Sequence, residues 1–483
     1  MISIDILSDD ILLEMFRFHV DEAWDEDKEE EDAMEAWLSL VHVCRRWRSI
    51  VFGSPRRLNL KLVCSAKTPL RDTVDIWPAL PLVIQGSGYY GTGSMNNIIA
   101  LLEHSDLVRR ITTIDFYGVQ IPRLEDYLEA MQVPFPELTN LLLHHIERTE
   151  PVLPLSDSFL GGSAPRLRSL SFRRIPYPGL PKLLLSATHL TELILFDIPH
   201  SGWISPEAMA ACLSTLTSLE ELFLEFQSPP PRPDWESRRP LPPTRTVLSA
   251  LYHVMFTGVC EYLEYLVTSI DAPRLRRLDI TFFNDIVFDT PQLTRFIGYT
   301  PMLEAFNVAN VAFWVAHASI TLSPAYHAAY EDPDESLKLS VYCTELDWQL
   351  SFLEQVCTSS LPPLSTLEDL YMEGLQWRSW PEDWKDIIDY AQWLELLHSC
   401  TFAKNLYLSK ELAPCVVPAL QELVGISTTE AFPNLQNIFL EELQESGPVQ
   451  EGIEKFVAAR QVTGHAIAVS RWDRTRTRLE EID

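Results

Sequence analysis

One stretch places residue types at a spacing that could hold a cofactor. In "LPLVIQGSGYYGTG", Gly86, Gly88 and Gly91 follow an apolar strand and precede a helical run from Asn96 to His104. That is the outline of a Gly-x-Gly-x-x-Gly loop around a dinucleotide pyrophosphate. In such a loop the helix starts within the glycines, so that its N-terminus meets the phosphates. Here Thr92, Gly93 and Ser94 prolong the break and Ser94 reads as the cap, so a plain turn and no cofactor are expected. His144 and His145 are adjacent, and on a strand they face opposite ways, which does not suit a shared metal. His-Glu-x-x-His, Gly-x-Ser-x-Gly and Gly-Lys-Ser/Thr are all missing. No catalytic residue and no metal ligand is therefore assigned, and the chain does not read as an enzyme. The eight cysteines are scattered, with no pair at zinc-knuckle or redox spacing, and are expected to be reduced and buried.

Composition narrows the partners. The 483 residues are 46% hydrophobic, enough for a large core, and 38 basic against 68 acidic residues give a net charge of -30. Such a chain repels phosphate backbones and anionic lipid, so neither nucleic acid nor membrane is an expected partner. Asp5, Asp9 and Asp10 stand where a secretory signal needs positive charge, and no apolar run nears the ~18 residues of a span. The cytosol or nucleus is the expected location.

What must position any site is a repeat. A Leu-x-x-Leu-x-Leu register, with other apolar residues substituting, fits first positions Ile111, Leu138, Leu167, Leu190, Leu219, Leu251, Leu275, Leu303, Leu367, Ala403 and Leu435. The widest gap leaves room for a degenerate copy near Ser336, Leu339 and Val341. The last two apolar positions of each unit share one face of a short strand, and stacked neighbours bury it. The fold class that follows is α/β: an irregular leucine-rich-repeat solenoid of parallel short strands with convex helices or turns, such as Pro206 to Leu216 and Trp384 to Cys400. An ordinary α/β domain with leucine-rich strands is the alternative. "RLNLKL" from Arg57 alternates and is expected to be a strand.

Before the repeats, Trp37, Leu40, Cys44, Trp47 and Val51 recur on one helical stripe within "WLSLVHVCRRWRSIVF". The local chain offers little to bury it, so a partner protein is expected to complete the surface; a helix buried in its own domain is the alternative. "ILSDDILLEMFRF" from Ile6 and "LVHVCRRWRSIVF" from Leu40 together resemble an F-box, the helical module that docks substrate receptors onto the Skp-type adaptor of cullin ubiquitin ligases. The resemblance implies an all-helical module whose adaptor-binding residues are Leu7, Ile11, Leu12, Phe16, Leu40, Val43, Cys44 and Trp47, with Arg46 part of the motif. Ser8 replaces the family's usual proline and is a good N-cap. Between the halves lies Asp21 to Glu35, with ten carboxylates against Lys28 alone, expected as an extended hydrated loop.

In a solenoid, the residue between the last two apolar positions faces out from the concave sheet. Those positions include Asp115, Leu142, Ser171, Ile194, Phe223, Met255, Asp279, Asn307, Tyr371, Tyr407 and Phe439. Exposed Phe, Met and Tyr in a row suit a protein surface; cover by loops over some of them is the alternative. The expected substrate-binding residues are Phe223, Met255, Arg276, Asp279, Asn307, Tyr371, Tyr407 and Phe439. Ser228 to Pro243 is too proline-rich for a helix or central strand and is expected to loop out, as is "EDPDES" at Glu331. Near the C-terminus Trp472 is expected to cover the last open face, and Arg471, Arg474, Arg476 and Arg478 to form a solvated face.

The expected layout is residues 1–56 as the helical module, with its acidic insert at 21–35, and 57–483 as the solenoid, with the proline-rich loop 228–243 and a cap at 455–483. This layout, with "VSRWD" and "RLRRLDITFFNDIVFDTPQL", is similar to the F-box proteins expanded in mushroom-forming fungi. The resemblance implies a non-catalytic receptor that joins the Skp-type adaptor, and through it a cullin, to a protein substrate. The alternative is a leucine-rich scaffold or sensor with no role in ubiquitin transfer.

Overall fold

The computed structural model describes residues 6–23, 30–65, 77–87, 95–118, 121–145, 154–229, 245–283, 290–304, 306–327, 333–374, 390–426, 432–441 and 447–474. Gly88 and Gly91, most of the proline-rich loop, Glu331, Arg476 and Arg478 lie outside them. The chain divides into two compact units, Met1–Ile204 and Ser205–Asp483.

The first unit opens with three helices, α1 (Asp9–Ala23), α2 (Glu30–Val43) and α3 (Arg45–Gly53). Ser8 Oγ lies 3.5 Å from the Ile11 amide, at the reach of an N-cap. The stripe from Trp37 to Val51 is not one helix. Cys44 leaves the helical path and its thiol accepts from the Trp47 amide, so the chain turns between α2 and α3. The two ends of the acidic stretch are helical rather than extended: Asp21 to Ala23 close α1 and Glu30 to Glu35 open α2. Carboxylates in the first turn oppose the positive end of a helix dipole, which favours helix there.

Leu12, Phe16, Val20, Trp37, Val41 and Val51 are buried in this unit. Each large apolar side chain so covered contributes roughly 1.5 to 3 kcal/mol. The Trp37 indole N–H donates to Lys61 O at 3.2 Å, which satisfies its one polar atom. "RLNLKL" does not start a strand at Arg57; residues 55–59 form a turn in which Asn59 takes a φ of 46°, a region asparagine tolerates. The first strand, β1, is Leu62–Ser65. It is followed by β2 (Leu82–Ser87), β3 (Ile111–Tyr117), β4 (Asn140–His144), β5 (Ser169–Arg173) and β6 (Glu192–Ile198), and the pairings from β1 to β6 are parallel. Ile114, Leu141, Leu170 and Leu193 stand opposite one another, as the repeat register requires.

Gly86, the first of the glycine run, ends up inside β2. A Cβ there would meet Phe116 Cδ1 at 2.8 Å, so ring packing on the next strand accounts for the glycine.

The second unit holds β7 (Glu221–Phe226), β8 (Thr246–Val247), β9 (His253–Gly258), β10 (Ile270–Asp271), β11 (Arg277–Phe282), β12 (Val308–Phe313), β13 (His317–Ser323), β14 (Ser336–Tyr342), β15 (Asp369–Gly374), β16 (Asn405–Leu408), β17 (Asn437–Leu440) and β18 (Ala468–Arg471). β8 and β10 form a small parallel pair of their own. The others lie in the order β7-β9-β11-β14-β13-β12-β15-β16-β17-β18. Pairing is parallel except at β13, which runs antiparallel to both β12 and β14. The wide gap in the repeat is therefore a three-strand meander laid into the row. Its last strand supplies the degenerate copy two residues earlier than expected, since Leu337 and Leu339, not Leu339 and Val341, stand opposite Leu278 and Ile280.

The repeat anchored at Leu303 needs correction. Opposite Leu370 and Met372 stand Ala309 and Val311, so the unit begins at Phe306, three residues later than expected. Helices return the chain between strands, among them Pro206–Leu213, capped by the Ser205 hydroxyl on the Ala208 amide, and Tyr390–Ser399. Each unit is thus a mixed α/β stack of the leucine-rich-repeat kind, its inward pairs buried from Ile114 to Leu440.

Candidate protein-binding surfaces

The residues that resemble an adaptor-binding set divide by depth. Leu12, Phe16 and Leu40 are buried and build the helical module. Leu7 and Trp47 are half-buried, Trp47 leaning on Phe16 with ring centroids 4.6 Å apart. Ile11, Val43 and Cys44 are exposed. Trp37, from the stripe expected to await a partner, is sealed within the unit against Trp77 and Phe52.

The open apolar surface lies one helix earlier. Ile11, Met15 and Phe18 recur at steps of four and three along α1 and are 50%, 48% and 73% exposed; Ile6 and Val43 are exposed too. The steps place the three on one stripe, opposite the inward Leu12, Phe16 and Val20. Sequence reading passed over Met15 and Phe18 because α1 is apolar on two sides, and spacing alone does not tell the inner from the outer. Arg46 fixes the start of this helix, donating to Leu7 O at 2.6 Å and to Asp9 Oδ1 at 2.7 Å.

In the second unit the strand registers define one continuous concave row: Phe223, Met255, Asp279, Lys338, Thr321, Asn310, Tyr371, Tyr407, Phe439 and Ser470. Six of the eight expected substrate-binding residues stand in it. Asn307 does not, because of the three-residue shift; it precedes β12, where its carbonyl accepts from the Glu368 amide at 3.0 Å, and Asn310 takes its place. Arg276 is exposed just ahead of β11.

One end of the row is charged. Asp279 is buried and accepts from Arg277 Nε at 2.7 Å and from His253 Nε2 at 3.2 Å, while Phe223 packs edge-on against the His253 ring. Burial alone would raise the Asp279 carboxyl; the hydrogen bond from His253 and the charge of Arg277 outweigh it and hold the group below the usual carboxylate range. Asp279 is thus committed to its neighbours; half-buried Lys338 stands opposite it on β14, and Arg276 is exposed ahead of β11.

The other end is aromatic, and it is covered rather than open. Tyr371, Tyr407 and Phe439 stack with centroids 4.0 Å and 4.5 Å apart. Trp472 and Tyr326 lie over them, so Tyr371 is buried and its two neighbours half-buried. Trp472 therefore covers the concave face as well as following the last strand. Arg474, expected in a solvated face with Arg471, pairs instead with Glu373, while Arg471 is exposed. Glu373 has no exposed surface and also accepts from Tyr326 Oη at 2.8 Å and Asn310 Nδ2 at 3.0 Å. Burial pushes its carboxyl above the usual range, against the pull of Arg474.

His144 and His145 follow the alternation of a strand: His144 lies 2.7 Å from Ser171 Oγ, and His145 is buried on the other side. Among the described residues, no three His, Cys, Asp or Glu side chains gather as a metal ion would need, and no helix is long and apolar enough to cross a membrane. The cysteines are free, six of them buried, with Cys44 exposed and Cys260 half-buried.

No protein-family model matches the sequence, and no curated protein matches it. Among solved structures, the leucine-rich repeat-containing protein LegL7 from Legionella pneumophila aligns over 82% of this chain and 97% of its own, at 13% identity and a TM-score of 0.26. So loose a superposition leaves the strand registers, and not the match, as the ground for the fold.

Proposed function

We propose that this chain is a substrate receptor of a cullin-type ubiquitin ligase, its three N-terminal helices docking on a Skp-type adaptor and its strand stack holding a protein substrate. The observation that carries the reading is the stripe of Ile11, Met15 and Phe18, left open on a helix whose other side is fully packed. Exposed apolar side chains in a row on a soluble surface mark contact with another protein. The sequence resemblance to an F-box names the partner. The substrate would lie along the concave row, and transfer chemistry would belong to other subunits.

Capture of a Skp-type adaptor by the tagged full chain tests this. Val43→Asp should abolish capture while leaving the unfolding transition in place; undiminished capture by that variant would count against the docking surface.

One observation favours a second reading, a scaffold whose helices only close the first edge of the stack. Trp37 bonds to Lys61 O, and the Met34 thioether lies 3.2 Å from the Val63 amide, so α2 sits directly on β1. Absence of adaptor capture by the wild-type chain would select that reading.

A further inference from the structure

β18 pairs in parallel with β17, with Ile438 opposite Val469, and so brings the chain to Arg471 at the end of the second unit's strand row. The chain then turns back. The Trp472 amide is held by Leu440 O at 2.8 Å, and its indole lies edge-on against Tyr407, Tyr371 and Tyr326 at 5.8, 5.5 and 5.9 Å. Two residues later Arg474 donates to Glu373 and lies 4.0 Å from Glu441. The segment thus crosses back from β18 to β15, over the face where a substrate would lie.

What lies beneath it is a poor choice for a core. A buried carboxylate is expensive to desolvate, and an apolar residue in place of Glu373 would fill the same space without that cost. Three stacked rings beside an acid form instead a two-part surface, flat and apolar along Tyr371, Tyr407 and Phe439, negative at Glu373. The tail matches both parts, an indole for the rings and a guanidinium for the acid, from positions two apart.

We propose that Tyr371, Tyr407, Phe439 and Glu373 form a recognition site for a peptide carrying an aromatic residue followed two positions later by arginine, which Trp472 and Arg474 occupy in cis as a competitor. A substrate with this pattern enters by displacing the tail. The proposal deepens the assignment of the strand stack as the substrate-holding half and rests on it, but needs nothing of adaptor docking.

The probe is a labelled peptide of residues 468–474, titrated by fluorescence anisotropy into the full-length wild type, W472A/R474A, and W472A/R474A carrying E373Q. The vacated chain should bind at least tenfold more tightly than wild type, E373Q should take back most of that gain, and a probe with Ala at its tryptophan should not bind. Equal binding by wild type and W472A/R474A, binding by neither, or indifference to E373Q would overturn the proposal. If the double variant loses its cooperative unfolding, R474A alone carries the comparison, since the indole stays in place; a gain of about threefold is then expected, and no gain overturns it. Adaptor capture by the same preparations reports on the other reading separately: capture without peptide binding counts against this site alone.

Discussion

The Arg474 guanidinium donates to the Glu373 carboxylate across 101 residues of sequence, and of the two only Arg474 keeps any contact with solvent. Removing one partner of a buried pair strands the other charge, at about 3 to 5 kcal/mol. Tyr326 and Asn310 would still bond to Glu373, so Arg474→Ala is expected to destabilise the second unit by about 2 to 3 kcal/mol and leave it folded. Adding Glu373→Gln should recover part of that loss. Urea unfolding of the two single variants and the double variant measures the coupling; additive losses would mean the pair contributes nothing as a pair.

Acid should destabilise the chain through two half-buried histidines. Burial, aided by the Arg173 charge, lowers His144 from 6.5 to about 4, and burial with Lys338 lowers His317 from 6.5 to about 4. A folded value below the unfolded one means that the unfolded chain takes up protons first, so the stabilisation is complete above pH 6.5 and is lost as pH falls toward 4. Both rings keep some exposure, so about 1 to 2 kcal/mol each is expected after solvent screening. The thermal midpoint should fall between pH 7 and pH 5, and less in a chain carrying His144→Asn and His317→Asn. Equal slopes in the two chains would contradict the assignment.

Gly86→Ala tests the meaning of the glycine run. Its Cβ would press on Phe116, and overpacking of this kind costs about 1 to 3 kcal/mol. A lowered denaturation midpoint is expected, and calorimetric titration of the wild type with dinucleotide should give no heat. Dinucleotide binding by the wild type would restore the cofactor reading.

The strand row was legible in the sequence because its signal is local. Pairs such as Leu222 with Leu224 and Leu406 with Leu408 sit two apart and recur, and their structural registers coincide with the repeat. Legibility failed at Leu303 because "LEAFNVANV" supports two registers: Leu303, Phe306 and Val308, or Phe306, Ala309 and Val311. Only pairing with β15 selects the second. The break at Cys44 carries neither glycine nor proline to announce it. The cover over Tyr371 could not be read either, since nothing local ties Trp472 and Arg474 to a strand a hundred residues earlier. On α1 the residues that face outward became known only once the inner side was packed.

The central claim is that α1 presents a surface meant for another protein. Its most direct test is calorimetric titration of purified Skp-type adaptor with the wild-type chain and with Ile11→Asp, with each chain's urea midpoint measured alongside. Ile11 is half exposed, so the substitution should change stability by less than about 1 kcal/mol. The account predicts saturable binding by the wild type and at least a tenfold loss in Ile11→Asp at an unchanged midpoint. Binding of equal strength by the two chains, or none by the wild type, would contradict it.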